Sequence, residues 1–189
     1  MKLWTLPNSL TILRIVLIPV LVVVFYTPSQ WSSLLSAAIF GLAALTDWLD
    51  GYLARRMKQI SVFGAFLDPV ADKLMVAVAL VLLVQDNPTV IFVIPAVVII
   101  GREIAISALR EWMSELGERT KVAVSIIGKV KTIAQMVAIL MLLYKFPLGP
   151  IPMHATGLVL LYVAAALTFW SMFMYIRAAW PILVGNSGN

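Results

Sequence analysis

The residues of this sequence best suited to chemistry are four aspartates that lie close together, Asp47, Asp50, Asp68 and Asp72. The first two are three residues apart and the last two are four apart, so each pair falls on one face of a helix. Four neighbouring carboxylates repel one another unless a cation neutralises them, and Mg²⁺, Mn²⁺ and Ca²⁺ all prefer such oxygen ligands. The spacing therefore predicts a site for one or two divalent cations, and two such ions could clamp a phosphoryl group from both sides.

The residues between the two aspartate pairs favour a phosphate-bearing ligand. Gly51 and Ala54 follow the first pair and are small enough for a ligand to approach the backbone. Arg55 could neutralise phosphate oxygens, and Gly64 lies one turn before Asp68. The linker between the two helices is short and basic, so we expect them to be antiparallel neighbours whose carboxylates converge.

Two other interpretations of the aspartates stay open on the residues alone. The acids could form salt bridges at the membrane surface, although burying so many acids without a cation is costly. They could also line the pathway of a divalent-cation transporter. Against a transporter, the acids gather at one membrane face, and we expect no carboxylate deep in the membrane in the last three apolar segments. The basic residues available for salt bridges are Arg55, Arg56, Lys58 and Lys73.

The composition places these helices in a membrane. Hydrophobic residues make up 62% of the 189 residues and charged residues only 12%, whereas soluble domains average about 25% charged residues. The net charge of +5 comes from basic residues that flank apolar segments, which argues against a nucleic-acid partner. The chain has no cysteine and a single histidine, which excludes disulfides and metal sites built on those ligands.

Six apolar segments approach the roughly 20 residues that a membrane-spanning helix needs. We therefore predict an all-α integral membrane protein with one domain over residues 1–189, whose six-transmembrane-helix bundle occupies 10–178. Residues 1–9 are predicted to be a short interfacial segment, and residues 179–189 a C-terminal tail. The predicted spans are Leu10–Tyr26, Trp31–Ala54, Phe66–Val84, Val90–Trp112, Val122–Tyr144 and Ala155–Tyr175.

The basic residues also predict the orientation of the bundle. Lysine and arginine are enriched in cytoplasmic loops. Connections two and four are basic, whereas connections one, three and five hold Asp86 and Lys145 at most. Both termini are therefore predicted to be cytoplasmic, on the same side as the aspartates. The basic residues concerned are Arg55, Arg56 and Lys58, then Arg110, Arg119 and Lys121.

The aspartate-rich segment resembles the signature of the CDP-alcohol phosphotransferase family at every defined position. It reads Asp47-x₂-Asp50-Gly51-x₂-Ala54-Arg55-x₈-Gly64-x₃-Asp68-x₃-Asp72. Further motifs resemble the bacterial phosphatidylglycerophosphate synthases of that family, and the likeness runs from residue 7 to about residue 177, most loosely in the last span. These motifs are Pro7-Asn8-x₂-Thr11-x₂-Arg14, Gly101-Arg102-Glu103, Ser107-x-Leu109-Arg110-Glu111-Trp112 and Gly128-Lys129-x-Lys131-Thr132-x₂-Gln135.

This resemblance implies a bundle in the bacterial inner membrane, usually a homodimer, with a polar cavity open to the cytoplasm and to the membrane lipids. The implied substrates are CDP-diacylglycerol and sn-glycerol 3-phosphate, and the implied cofactor is Mg²⁺ or Mn²⁺. The four aspartates would hold one or two metal ions, and Asp72 would also be the general base. CDP-diacylglycerol would contact Asn8, Thr11, Gly51, Ala54, Arg55 and Gly64, and the acceptor phosphate would contact Arg14, Arg102, Arg110, Lys129 and Lys131.

The basic residues of the acceptor site have a structural alternative. Arg110, Lys129 and Lys131 could be charges that snorkel to the interface or set the orientation, and Glu103 could neutralise Arg102. A basic cluster favours a phosphorylated acceptor, but its chemistry does not separate glycerol phosphate from inositol phosphate. Related enzymes also act on serine or choline.

The start of the first span has a structural alternative of its own. Asn8 or Ser9 could cap the first helix, and Arg14 could be a single snorkelling charge.

Overall fold

The computed structural model describes residues 6–57, 62–115 and 126–185, and within these ranges the chain forms six α-helices. The six helices correspond in number and order to the six predicted apolar segments, so the all-helical fold is confirmed for the described residues. The helices are α1 (Leu6–Tyr26), α2 (Ser32–Met57), α3 (Val62–Asp86), α4 (Val90–Glu115), α5 (Ile126–Tyr144) and α6 (Met153–Gly185).

Turn chemistry separates the helices where the apolar runs stop. Pro28 and Pro88 lie in the first and third connections, and a proline cannot continue a preceding helix. Lys145 ends α5 in the left-handed backbone region with φ of 66°, and Gly149 adopts φ of 60° in the turn that follows. These short connections make α1 and α2, α3 and α4, and α5 and α6 sequential antiparallel neighbours.

The six helices pack as a closed ring in the order α1, α3, α4, α6, α5, α2. The first helix lies between α2 and α3 and contacts both more extensively than they contact each other. The predicted direct pairing of α2 with α3 is therefore only part of the arrangement, because α1 occupies most of the space between them. The buried centre of the ring is aliphatic and aromatic and includes Leu21, Phe40, Leu80, Leu83, Ile139, Leu142, Leu143 and Leu161.

Within the described residues, three helices are long and apolar enough to cross a membrane, at Asn8–Tyr26, Val90–Met113 and Met153–Arg177. Shorter apolar stretches occupy Ser32–Asp47 and Val130–Tyr144. The helix surface exposes large apolar side chains that water would not solvate well. These features make the chain a membrane protein, with lipid as the solvent for its outer faces.

Several predicted boundaries differ from the structure, and the differences are largest at the start of α1 and the end of α6. Helix α1 begins at Leu6, so residues 6–9 are continuous with the first helix, and Pro7 lies in its first turn, where a proline is tolerated. Helix α6 continues to Gly185 through most of the predicted tail at 179–189. Both helices are longer than their apolar runs because helix formation does not stop where hydrophobicity falls. Residues 1–5 and 186–189 lie outside the described ranges.

Candidate active site

Aspartates from α2 and α3 meet at a buried arginine on α1. The Arg14 side chain is only 1% exposed, and its Nη1 lies 3.2 Å from Asp47 Oδ1. The same nitrogen donates a hydrogen bond to Asp72 Oδ1. Asp47 and Asp72 therefore face the same point, as the spacing of the acids predicts.

The rest of the first-helix motif also lies against the acids. Thr11 is fully buried, and its hydroxyl donates a hydrogen bond to Asp68 Oδ1. Asn8, one turn earlier, is buried as well. The alternative of a snorkelling Arg14 is wrong, because a buried guanidinium between carboxylates does not reach out to the interface. Helix capping by Asn8 or Ser9 is also wrong, since α1 begins at Leu6 and both residues lie inside it.

Helices α1 and α3 pair through side chains that recur about once per helical turn on each helix. Thr11 and Arg14 are three residues apart, and their partners Asp68 and Asp72 are four apart. Side chains at both spacings lie on one helix face, and the earlier residue of each helix meets the earlier residue of the other. The two helices therefore run in the same direction, as expected for the first and third members of an alternating bundle.

Several predicted site residues carry no side-chain description. Asp50, Gly51, Ala54 and Arg55 belong to α2 by their backbone, but their side chains, like that of Arg56, lie outside the described set, and Lys58 lies outside the described residues altogether. Gly64 lies in the first turns of α3 and is buried. Lys73, a salt-bridge candidate for the acids, instead donates a hydrogen bond to Ser107 of α4.

A small cleft opens beside the paired acids. Its volume is about 10 Å³, room for roughly one water molecule. The carboxylates of Asp47 and Asp72 lie on its polar side, next to Arg14. The remaining lining is apolar or small, while the side chains of Asp47 and Asp72 stay over a third exposed to solvent. The other lining residues are Phe40, Ala43, Ala44, Met75 and Met136.

The donor atoms of this region suit a hard divalent cation. Asp47 and Asp72 direct oxygens at one positively charged nitrogen, so positive charge is stabilised at that point. Among the side chains that the structure describes, no group of three acids is close enough to hold an ion. Asp68 is engaged by Thr11, and Asp50 lies outside that set. The oxygen chemistry fits Mg²⁺ or Mn²⁺.

A second polar region lies where α4, α5 and α6 meet, and it is basic. Glu103 Oε1 accepts hydrogen bonds from Arg102 Nη1 at 2.9 Å and from Lys131 Nζ at 2.9 Å. Lys131 is only 5% exposed, so a snorkelling role for it is wrong. The predicted neutralisation of Arg102 by Glu103 is confirmed. Arg102 Nη2 also reaches Ser171 Oγ of α6 at 3.2 Å.

Arg110 joins this basic region through an aromatic partner. Its Nη2 donates a hydrogen bond to the Tyr175 hydroxyl at 2.6 Å, and its Cζ lies 5.1 Å from the centre of the Tyr175 ring. Cζ of Arg102 lies 5.6 Å from the same ring centre. The side chain of Lys129 lies outside the described set.

Sequence reasoning missed Tyr175 and Ser171 as members of the basic region. Their partners are 65 and 69 residues away in the chain, and no local spacing signals such a contact. It also misjudged Glu103, which lies midway along the apolar stretch Val90–Met113 of α4. The expectation of no carboxylate deep in the last three spans is therefore wrong. Two cations hold this acid, which explains how the helix tolerates it.

Comparison with known proteins agrees with the motifs that converge here. The family model described as CDP-alcohol phosphatidyltransferase matches residues 4–170. A protein of Yersinia pestis is 54% identical over 182 residues, covering 95% of this chain and 97% of its own. Proteins of Salmonella choleraesuis and Sodalis glossinidius are 54% and 56% identical, over 93% and 92% of this chain and 95% and 94% of their own. All three are named CDP-diacylglycerol–glycerol-3-phosphate 3-phosphatidyltransferase.

Proposed function

Because this chain belongs to the CDP-alcohol phosphatidyltransferase family, we propose that it transfers the phosphatidyl group of CDP-diacylglycerol to sn-glycerol 3-phosphate. The products are phosphatidylglycerophosphate and CMP. The observation that carries the proposal is the meeting of Asp47 and Asp72 at the end of the bundle where the family signature lies. Relatives that share more than half of their residues with this chain, over almost their whole length, are named for this reaction.

The aspartates are the proposed metal ligands. Asp47, Asp50, Asp68 and Asp72 would hold one or two Mg²⁺ or Mn²⁺ ions. When bound, these ions supply charge neutralisation for the diphosphate and for the departing CMP. The buried Thr11 and Arg14 hold Asp68 and Asp72 on the α1 side, which fixes the direction of their carboxylates before substrate arrives.

Asp72 is the proposed general base. Its carboxylate would accept the proton of the glycerol C1 hydroxyl as that oxygen forms a bond to the lipid-bearing phosphorus. The bond from this phosphorus to the CMP oxygen breaks in the same displacement, and CMP leaves with the electron pair. The protein contributes mainly position and electrostatics, as in other phosphoryl transfers.

The two substrates would occupy different sides of the ring. We assign CDP-diacylglycerol to the α1–α3 side, with Asn8, Thr11, Gly51, Ala54, Arg55 and Gly64. We assign the acceptor phosphate to the basic region of Arg102, Arg110, Lys129 and Lys131. The family resemblance adds Arg14, which in this structure is buried and paired with Asp47 and Asp72. Arg110 is exposed and hydrogen-bonded to a neutral partner, so among the side chains of this set that the structure describes its charge is the most available to an anion.

The proposed setting is the bacterial inner membrane. All six helices would cross it, both termini and the active site would face the cytoplasm, and the protein would be a homodimer. The parallel pairing of α1 with α3 supports alternating crossings, and the basic second and fourth connections support the orientation.

The decisive experiment measures CMP release from CDP-diacylglycerol by the purified protein. We expect release only when both sn-glycerol 3-phosphate and Mg²⁺ or Mn²⁺ are present. A panel with serine, inositol phosphate and choline tests the alternative acceptors, and faster release with one of them would reassign the substrate. Metal uptake into vesicles without any CMP release would instead favour a transporter and reject the proposal.

A further inference from the structure

Tyr175 holds an unusual place in the basic region. Its hydroxyl accepts the Arg110 hydrogen bond at 2.6 Å, and its ring lies within cation–π distance of Arg110 and Arg102. The residue comes after residue 170, where the match to the family model ends. We propose that Tyr175 is a positioning residue that holds Arg110 ready for the phosphate of the acceptor. This inference rests on the proposed function and deepens it.

The charges of the region show why a neutral partner matters. Arg102 and Lys131 share the carboxylate of Glu103, which neutralises part of their charge. Among the described residues Arg110 forms no ion pair with a carboxylate. Tyr175 therefore fixes the direction of the Arg110 guanidinium while leaving its full positive charge available to a ligand.

The geometry also limits where Arg110 can point. The donors of a guanidinium lie in one plane. One hydrogen bond to the Tyr175 hydroxyl, together with the position of Cζ 5.1 Å from the ring centre, therefore restricts the directions of the other donors. Without that partner, the long side chain of an exposed arginine samples many rotamers, and ordering it on binding lowers affinity. Tyr175 would thus contribute to affinity for a phosphate monoester, which carries up to two negative charges near neutral pH.

The test compares Tyr175→Phe and Tyr175→Leu with a matched control on the same helix. The control is Tyr162→Phe, because the Tyr162 hydroxyl also links α6 to α4, donating to the Ile91 carbonyl at 3.0 Å, and lies away from the basic region. We expect Tyr175→Phe to raise the KM for sn-glycerol 3-phosphate about three- to tenfold, the usual effect of one hydrogen bond. Tyr175→Leu should raise it further, because the ring contacts are lost as well. The kcat and the KM for CDP-diacylglycerol should stay within about twofold of wild type in Tyr175→Phe, as should every constant of Tyr162→Phe.

A double-variant cycle separates positioning from a general structural role. If Tyr175 acts through Arg110, then Tyr175→Phe should add no further rise in KM once Arg110→Ala is present. A full additional rise in that background would overturn the inference, and so would an unchanged KM in Tyr175→Phe. Thermal melting of each variant accompanies the kinetics, and equal melting of the two Phe variants shows that a difference in KM is not a folding defect.

The failure of this inference is distinguishable from that of the proposed function. If the wild-type protein releases no CMP with sn-glycerol 3-phosphate, the function itself is wrong. If the wild type does release it, and Arg110→Ala raises the KM while Tyr175→Phe leaves it unchanged, only the role of Tyr175 fails.

Discussion

The two polar regions of the bundle are built as opposites. Where α1, α2 and α3 meet, one guanidinium, that of Arg14, links the carboxylates of Asp47 and Asp72. Where α4, α5 and α6 meet, one carboxylate, that of Glu103, links Arg102 and Lys131. Each region has one central charged side chain with two partners of opposite charge. The region of α1, α2 and α3 therefore has an excess of negative charge, and the region of α4, α5 and α6 has an excess of positive charge. The negative excess suits a metal cation, and the positive excess suits a phosphate.

This opposition explains how so many charges persist in an apolar bundle. An unpaired charge among hydrocarbon side chains costs several kcal/mol. The central residue of each region compensates its neighbours through hydrogen bonds as well as charge, which is what makes a buried ion pair tolerable. A bound metal cation would then neutralise the remaining negative charge of one region, and a bound phosphate the remaining positive charge of the other.

The largest effect should come from the acidic region. Asp72→Asn removes the proposed base, and we expect kcat to fall about 10³-fold or more, near the upper range for a general base. The measurement is CMP release under saturating substrates. Asp86→Asn is the control, since Asp86 pairs with Lys145 at the opposite end of the bundle and should leave turnover unchanged. Near-normal activity in Asp72→Asn would reject the base assignment.

Removing the central charge of the acidic region should destabilise the protein. Arg14→Met leaves Asp47 and Asp72 facing each other without their shared cation. Breaking a fully buried pair costs about 3–5 kcal/mol, but both acids are over a third exposed, so we expect a loss of about 2 kcal/mol in unfolding free energy. Denaturant titration in detergent measures this loss, and Mg²⁺ should restore part of it. Unchanged stability would show that Arg14 is not the counter-charge of this region.

The equivalent change in the basic region tests whether the comparison is symmetric. Glu103→Gln leaves Arg102 and Lys131 without their carboxylate, and we expect a loss of about 1–2 kcal/mol because Glu103 is partly exposed. Adding Lys131→Met should recover part of the stability, since removal of both partners is often close to neutral. Thermal melting of the single and double variants decides. A double variant less stable than the single one would show that Glu103 does not compensate Lys131 as Arg14 compensates the aspartates.

The smallest effect should come from an ion pair that belongs to neither region. Lys145 Nζ lies 2.8 Å from Asp86 Oδ2 at the end of the bundle opposite the aspartate pairs. Partly exposed pairs of this kind contribute about 0–1 kcal/mol. We expect Lys145→Gln to change melting and CMP release very little. A large loss of activity would mean that this opposite end of the bundle also takes part in the reaction.

Much of this protein could be predicted from the sequence because its strongest signals are local. Long apolar runs broken by proline turns predict six helices, since the backbone must satisfy its hydrogen bonds internally in lipid. The spacing of Asp68 and Asp72 predicts one helical face, and the cost of unpaired acids predicts a cation beside them. The extent of α1 and α6 was underestimated, because hydrophobicity marks the lipid-facing part of a helix better than its ends.

What the sequence by itself determined, therefore, is the set of helices, the acidic signature and the family. Only the tertiary structure decided the partners: Thr11 with Asp68, Arg14 with Asp47 and Asp72, and Arg110 with Tyr175. These partners are tens of residues apart, and their contacts depend on which helices adjoin in the ring. Local spacing orders the side chains on one helix, but only the packing of the helices decides which faces meet.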